Sequence, residues 1–138
     1  MQPIAYLFFK DNCRAAMEHY AKVFGTTPDY MNFSDMPDDV QAAMPGVPAD
    51  LVMHCALPVG EGWLYASDDP SGNVAAMDGC NVAVSMPSDG ETARVFAALS
   101  EGGEVRQPFD PAFWTSLFSA FTDRYGTRWM VMTDSPAP

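Results

Sequence analysis

DNCRAAMEHYAKVFG, Asp11 to Gly25, reads as one complete amphipathic helix, and the rest of the chain can be read outward from it. Asp11 and Asn12 are both N-cap types, because their side-chain oxygens can accept from the free amides of a first helical turn. Cys13, Met17, Tyr20, Ala21 and Phe24 fall at i, i+4, i+7, i+8 and i+11, one stripe at helical period. Gly25 stands where a left-handed C-terminal residue is wanted. Just upstream, Ile4 to Phe9 (IAYLFF) is an apolar run of strand length.

The same order is written again about 75 residues later, a self-similarity that carries fold information. Cys80 to Met86 (CNVAVSM) reads as a strand. Ser88-Asp89-Gly90-Glu91 reads as a capping box, with Ser88 as cap and Glu91 reaching back. Thr92, Val95, Phe96 and Leu99 form the apolar stripe, and Gly102-Gly103 stops the helix. Few residues match between the copies, so the repeat rests on order and spacing.

At 138 residues the chain is long enough to bury a core without staples, and 48% apolar content suits a globular domain. Eighteen acidic against seven basic residues give a net charge of −11, which argues against nucleic-acid or anionic-membrane partners. Cys13, Cys55 and Cys80 are an odd set without CxxC spacing, which suggests free thiols in a reducing, cytoplasmic setting. The apolar run before Lys10 is too short for a signal-peptide core or a membrane span.

In the first copy, after Gly25, Tyr30 to Phe33 reads as a short strand. The Pro-punctuated stretch from Ser34 to Asp50 reads as a loop with one short helix, Asp38 to Ala43. Leu51 to Val59 and Trp63 to Ser67 form a hairpin about Gly60-Glu61-Gly62. Asp68 to Gly79 is the seam. In the second copy, Glu104 to Phe109 is a strand ended by Pro108 and Pro111. Phe113 to Thr122 and Thr127 to Thr133 form a second hairpin about Asp123-Arg124-Tyr125-Gly126, and Ser135 to Pro138 is a tail. The expectation is a single α+β domain, 1–138, of two βαβββ modules at 1–68 and 79–134.

Strand–helix–strand–strand–strand, written twice, resembles the module pair of the vicinal oxygen chelate superfamily. That group includes glyoxalases, bleomycin-resistance proteins and extradiol dioxygenases. More narrowly, the chain resembles PhnB-like proteins. The stretches that carry the resemblance are YLFFKDNCRAAMEHYAKVFG, LVMHCALPVGEGWLYASDDPSG and TDRYGTRWMV. It implies curved sheets with outer helices, an inner ligand cavity, and a homodimer.

Strand alternation assigns faces. Val82, Val84 and Met86 suit packing under a helix, leaving Asn81, Ala83 and Ser85 toward the cavity. In the first strand, Ile4, Tyr6 and Phe8 are expected under the helix, with Ala5, Leu7 and Phe9 facing the cavity. Metal-using members of the superfamily take His, Gln or Glu ligands from the first and last strands of each module. Here those positions fall on Ala5, Asn81, Met130 and Tyr65 (or Ala66), with no imidazole or carboxylate among them. No metal and no cofactor are therefore expected. PhnB-like proteins often carry a demethylubiquinone methyltransferase label, but Lys10-Asp11-Asn12 lacks the glycines of a nucleotide-cofactor turn.

The expected function is metal-free binding of an apolar or aromatic compound by Trp63, Tyr65, Asn81, Trp114 and Met130, with His54 as a polar contact. Each residue also has a plainer reading. His54 can be structural, since no second His or orienting acid accompanies it, and the aromatics can be core or dimer interface. Cys55 and Cys80 lack a setting that lowers a thiol pKa, and buried free cysteine is the commoner state. His19 lies off the apolar stripe of its helix. Asp68-Asp69 and Arg124 at the hairpin ends could orient a polar ligand or serve as turn chemistry. The alternative functions are a glyoxalase-related lyase or isomerase, metal-dependent or based on His54, and an assembly role without ligand.

Overall fold

The computed structural model describes residues 1–134, so the expected tail at 135–138 lies outside the described residues. The chain divides into two compact units, Met1–Ala75 and Ala76–Pro138. The first runs β1 (Ala5–Phe9), α1 (Cys13–Phe24), β2 (Asp29–Asn32), a 3-10 turn at Phe33–Asp35, α2 (Asp38–Ala43), β3 (Val52–Val59) and β4 (Gly62–Asp68). The second runs β5 (Val82–Met86), α3 (Asp89–Ser100), β6 (Glu104–Ala112), β7 (Thr115–Thr122) and β8 (Arg128–Thr133).

Each unit holds one open, mixed, four-stranded sheet, ordered β1-β4-β3-β2 in the first and β5-β8-β7-β6 in the second. The unit's first strand runs parallel to its last, and the remaining pairs are antiparallel. The architecture is thus α+β, with one topology used twice. No helix among the described residues is long and apolar enough to cross a membrane.

One face of each sheet is covered by a helix. In the first unit Cys13, Ala16, Met17, Tyr20, Ala21 and Val23 of α1 are buried, as are Leu7, Phe9, Cys55, Leu57, Leu64 and Ala66 of the sheet. Each large side chain among them contributes about 1.5–3 kcal/mol by leaving water. Phe24, placed in the stripe by periodicity, is only half-buried. In the second unit Thr92, Val95 and Leu99 of α3 pack with Phe121, Trp129 and Val131.

The expected faces of β1 are reversed. Leu7 and Phe9 are each 4% exposed, whereas Tyr6 is 40% and Phe8 61% exposed. IAYLFF carries bulky apolar side chains at both parities, so alternation within the strand could not choose between them. The choice is made by tertiary packing, which buries Leu7 and Phe9 on the same face as Cys55, Leu57, Leu64 and Ala66. In β5 the expected assignment holds: Ala83 and Ser85 are the exposed positions and Met86 is buried.

The start of α1 also differs. Neither Asp11 nor Asn12 caps it with a side chain. Asp11 instead takes φ 66°, and buried Asp68, at the end of β4, accepts the Cys13 N–H at 3.0 Å. Its other oxygen accepts the Val52 N–H at 3.1 Å, so one carboxylate ties helix and hairpin together. In α3, Ser88 caps as expected through the Glu91 N–H at 3.2 Å. Glu91 does not reach back; its carboxylate pairs with Arg94, one helical turn on.

Strand β6 continues through Pro108 and Pro111 to Ala112. It is an edge strand with three register irregularities against β7, the setting in which a residue without an N–H can remain in a sheet. Phe113 and Trp114 therefore form the β6–β7 turn and do not begin β7.

Candidate functional site

The uncovered face of the first sheet is aromatic. By register Tyr6 stands beside Tyr65 and Tyr65 beside Ala56, while Phe8 stands beside Ser67 and Trp63 beside Pro58. Met31 of β2 pairs with His54. Parity therefore places Tyr6, Phe8, Met31, His54, Trp63 and Tyr65 on one surface, opposite the side chains that meet α1.

His54 lies at the centre of this surface. Its Nδ1 is 2.9 Å from the Tyr6 hydroxyl, and its tautomer decides which group donates. The Tyr65 ring meets the imidazole edge-to-face at 5.0 Å, and the Tyr6 ring lies 5.6 Å away. Trp63 is 6.3 Å from Tyr65, and Phe8 is 5.2 Å from Tyr6, all centroid to centroid. Such spacings are typical of tilted aromatic pairs. With Nδ1 engaged, Nε2 has no hydrogen-bond partner among the described residues and can meet a ligand. The arrangement can hold a flat apolar compound and offer it one directional polar contact.

Three of the six sequence-predicted residues, His54, Trp63 and Tyr65, are thus brought together. Met130 lies on the uncovered face of the second sheet between Ala83 and Ala120, and Asn81 immediately precedes β5, its side-chain oxygen accepting from Arg106. Trp114 sits in the β6–β7 turn, edge-on to Phe118 at 5.0 Å. Tyr6, Phe8 and Met31 were missed. Trp63 and Tyr65 already marked the aromatic parity of β4, but carrying it to β1 requires the parallel register.

At the superfamily's metal positions stand a methyl, a phenol, a carboxamide and a thioether (Ala5, Tyr65, Asn81, Met130). Ala5 also shares the parity of buried Leu7 and Phe9, opposite to Tyr65. This donor set does not fit a divalent ion. Among the described residues no three His, Cys, Asp or Glu side chains gather as a metal site.

Cys13 and Cys55 are fully buried, and burial pushes both thiols up, Cys55 to about 12. For Cys13 the neighbouring Asp68 carboxylate adds to the effect. Neither is a nucleophile at neutral pH. Cys80, expected to be buried, is exposed just before β5. Asp68 and Asp123 are buried acceptors, Asp68 of backbone N–H groups distant in sequence and Asp123 of local donors including the Trp129 indole N–H at 2.8 Å.

A sequence model of the Glyoxalase/Bleomycin resistance protein/Dioxygenase superfamily matches residues 4–131. The chain belongs to that superfamily. Its similarity to a crystal structure of protein PA1353 from Pseudomonas aeruginosa reaches 38% identity over 99% of both chains, with a TM-score of 0.87. A PhnB protein from Bacillus cereus shares the fold at 17% identity and TM-score 0.78, covering 96% of this chain and 99% of that one. Protein YjdN of Escherichia coli is 24% identical over 91% of this chain and 90% of its own length. The superfamily's fold carries several chemistries, so function must be argued from the residues of the site.

Proposed function

We propose that the chain is a metal-free small-molecule-binding protein that takes an apolar or aromatic compound against the open face of its first sheet. The observation that carries this reading is the gathering of Tyr6, Phe8, Trp63 and Tyr65 around His54. Phe8 is 61% exposed and Trp63 45%, although large rings are favourably removed from water. A contiguous patch of this kind marks a recognition surface. His54 supplies the polar contact, and the absence of imidazole and carboxylate at the superfamily's ligand positions supports metal-free binding. Asn81, Trp114 and Met130 are proposed contacts on their own unit.

A thermal-shift screen with aromatic compounds tests this, because a ligand selective for the folded state raises the melting temperature. A hit abolished by Tyr65→Ala supports the reading, and a broad library without a shift contradicts it. One tightly held Zn, Ni or Fe per chain in elemental analysis would overturn the metal-free part. A second copy is the competing occupant of the patch. Light scattering on dilution, with and without Trp63→Ser, separates that case.

The Tyr6–His54 hydrogen bond favours one further reading, a lyase or isomerase in which His54 transfers a proton. An imidazole oriented by a phenol is a suitable general base. Turnover lost in His54→Gln, with ligand binding retained, is its signature.

A further inference from the structure

Among seven basic and eighteen acidic residues, an arginine is expected to end on a carboxylate. Two arginines of the second unit converge on one neutral oxygen, and of the two Arg128 alone also reaches a carboxylate among the described residues. Arg106 Nη2 donates to Asn81 Oδ1 at 2.8 Å, and Arg128 Nε donates to the same atom at 3.5 Å. The other contacts of Arg106 are also neutral: the Phe121 carbonyl at 3.2 Å and Thr122 Oγ1 at 3.4 Å. Arg128 Nη1 lies 3.6 Å from Asp78, a side chain 93% exposed. Glu104 opposes Thr122 in the register, yet it forms no ion pair with either arginine among the described residues.

Two guanidiniums carry ten N–H donors between them, and the contacts above use few. The planar forks are matched to oxyanions, and two cations held side by side favour a negative charge between them. Beside this spot the same sheet face turns apolar. Met130 is flanked by Ala83 and Ala120, and Met132, two residues on, is flanked by Ser85 and Phe118. Two residues of strand span roughly 7 Å, about the length of a substituted phenyl ring.

We propose that the open face of the second sheet binds an amphipathic organic acid. Its carboxylate meets Arg106 and Arg128 beside Asn81, and its apolar body lies along Met130 toward Phe118. The site belongs to the second unit and does not depend on the aromatic face of the first.

The test is a titration of the full chain with phenylacetate, acetate and phenylacetamide, followed by ¹H–¹⁵N NMR of the Asn81 amide and the Arg106 and Arg128 Nε groups. Phenylacetate should move these signals and bind about tenfold or more tighter than either control, because phenylacetamide lacks the charged hydrogen bond and acetate lacks the apolar ring. Arg106→Gln should weaken phenylacetate by a similar factor while leaving the melting temperature near that of the parent. Equal binding of acid and amide, acetate binding as well as phenylacetate, or an unchanged affinity in both Arg106→Gln and Arg128→Gln would overturn the proposal.

Discussion

Tyr6 and His54 hydrogen-bond at 2.9 Å across β4, which lies between their strands in the sheet. The contact crosses above the row that holds Tyr65 and fixes the imidazole against that ring. It is open to solvent, so its role concerns the orientation of His54 more than stability. Tyr6→Phe should cost no more than about 1 kcal/mol of stability, the usual net worth of such a bond. The ¹⁵N shift of His54 Nδ1 should nonetheless change clearly. An unchanged imidazole spectrum would mean that the pair does not form in solution.

Asp68 presents the opposite case, a buried carboxylate whose two oxygens each accept a backbone N–H, from Cys13 and Val52. Asp68→Ala leaves both donors buried without partners, which should cost about 2–4 kcal/mol in urea unfolding. Asp68→Asn keeps one acceptor and should cost roughly half of that. If Asp68→Ala unfolds at the parent's midpoint, the carboxylate is not the link between α1 and the β3–β4 hairpin.

Two glycines of the second unit should respond oppositely to alanine. A Cβ on Gly103 would meet the Thr122 carbonyl at 2.1 Å and the Asp123 Cα at 2.9 Å, both backbone atoms that cannot step aside. Gly103→Ala should therefore destabilise by about 3 kcal/mol, the upper range for overpacking. Gly90, in the first turn of α3, has only Ser88 Oγ nearby at 4.0 Å. Gly90→Ala should stabilise by about 0.5 kcal/mol through helix propensity. Thermal unfolding of the two variants checks the signs.

The architecture was legible because two helical stripes, each preceded by a strand and followed by three, can be read from periodicity and turn chemistry alone. The short helix Asp38–Ala43 was read at its observed bounds. What could not be read was anything settled by a residue far away in sequence. The face of β1 followed from its packing and its parallel register with β4, and the α1 cap came from Asp68. The path of β6 through two prolines depended on its being an edge strand. Half of the aromatic site was visible as Trp63, Tyr65 and His54. The other half lay in IAYLFF, where both parities look alike.

The cysteines give a pH prediction. Cys55 is pushed up to about 12 in the folded chain from the ordinary 9.0, and Cys13 is raised as well, in both cases chiefly by burial. Above pH 9 the unfolded thiols lose protons that the folded ones retain, so unfolding releases protons and stability falls as pH rises. Their contribution is fully present below pH 9 and is lost progressively toward pH 12. Cys55→Ala should make the alkaline decline shallower. At neutral pH, 5,5′-dithiobis(2-nitrobenzoate) should label one thiol quickly, and Cys80→Ser should remove that phase, because Cys80 alone is exposed.

The most direct test of the aromatic face is a titration with 2-naphthol, observed through the ¹³C-labelled aromatic side chains of the full chain. The account predicts that signals from Tyr6, Phe8, Trp63 and Tyr65 move together on one binding curve, with His54 following. The fully buried Trp129 and Tyr20 should stay in place. Absence of movement, or movement confined to rings outside that group, would contradict a recognition surface on the first sheet.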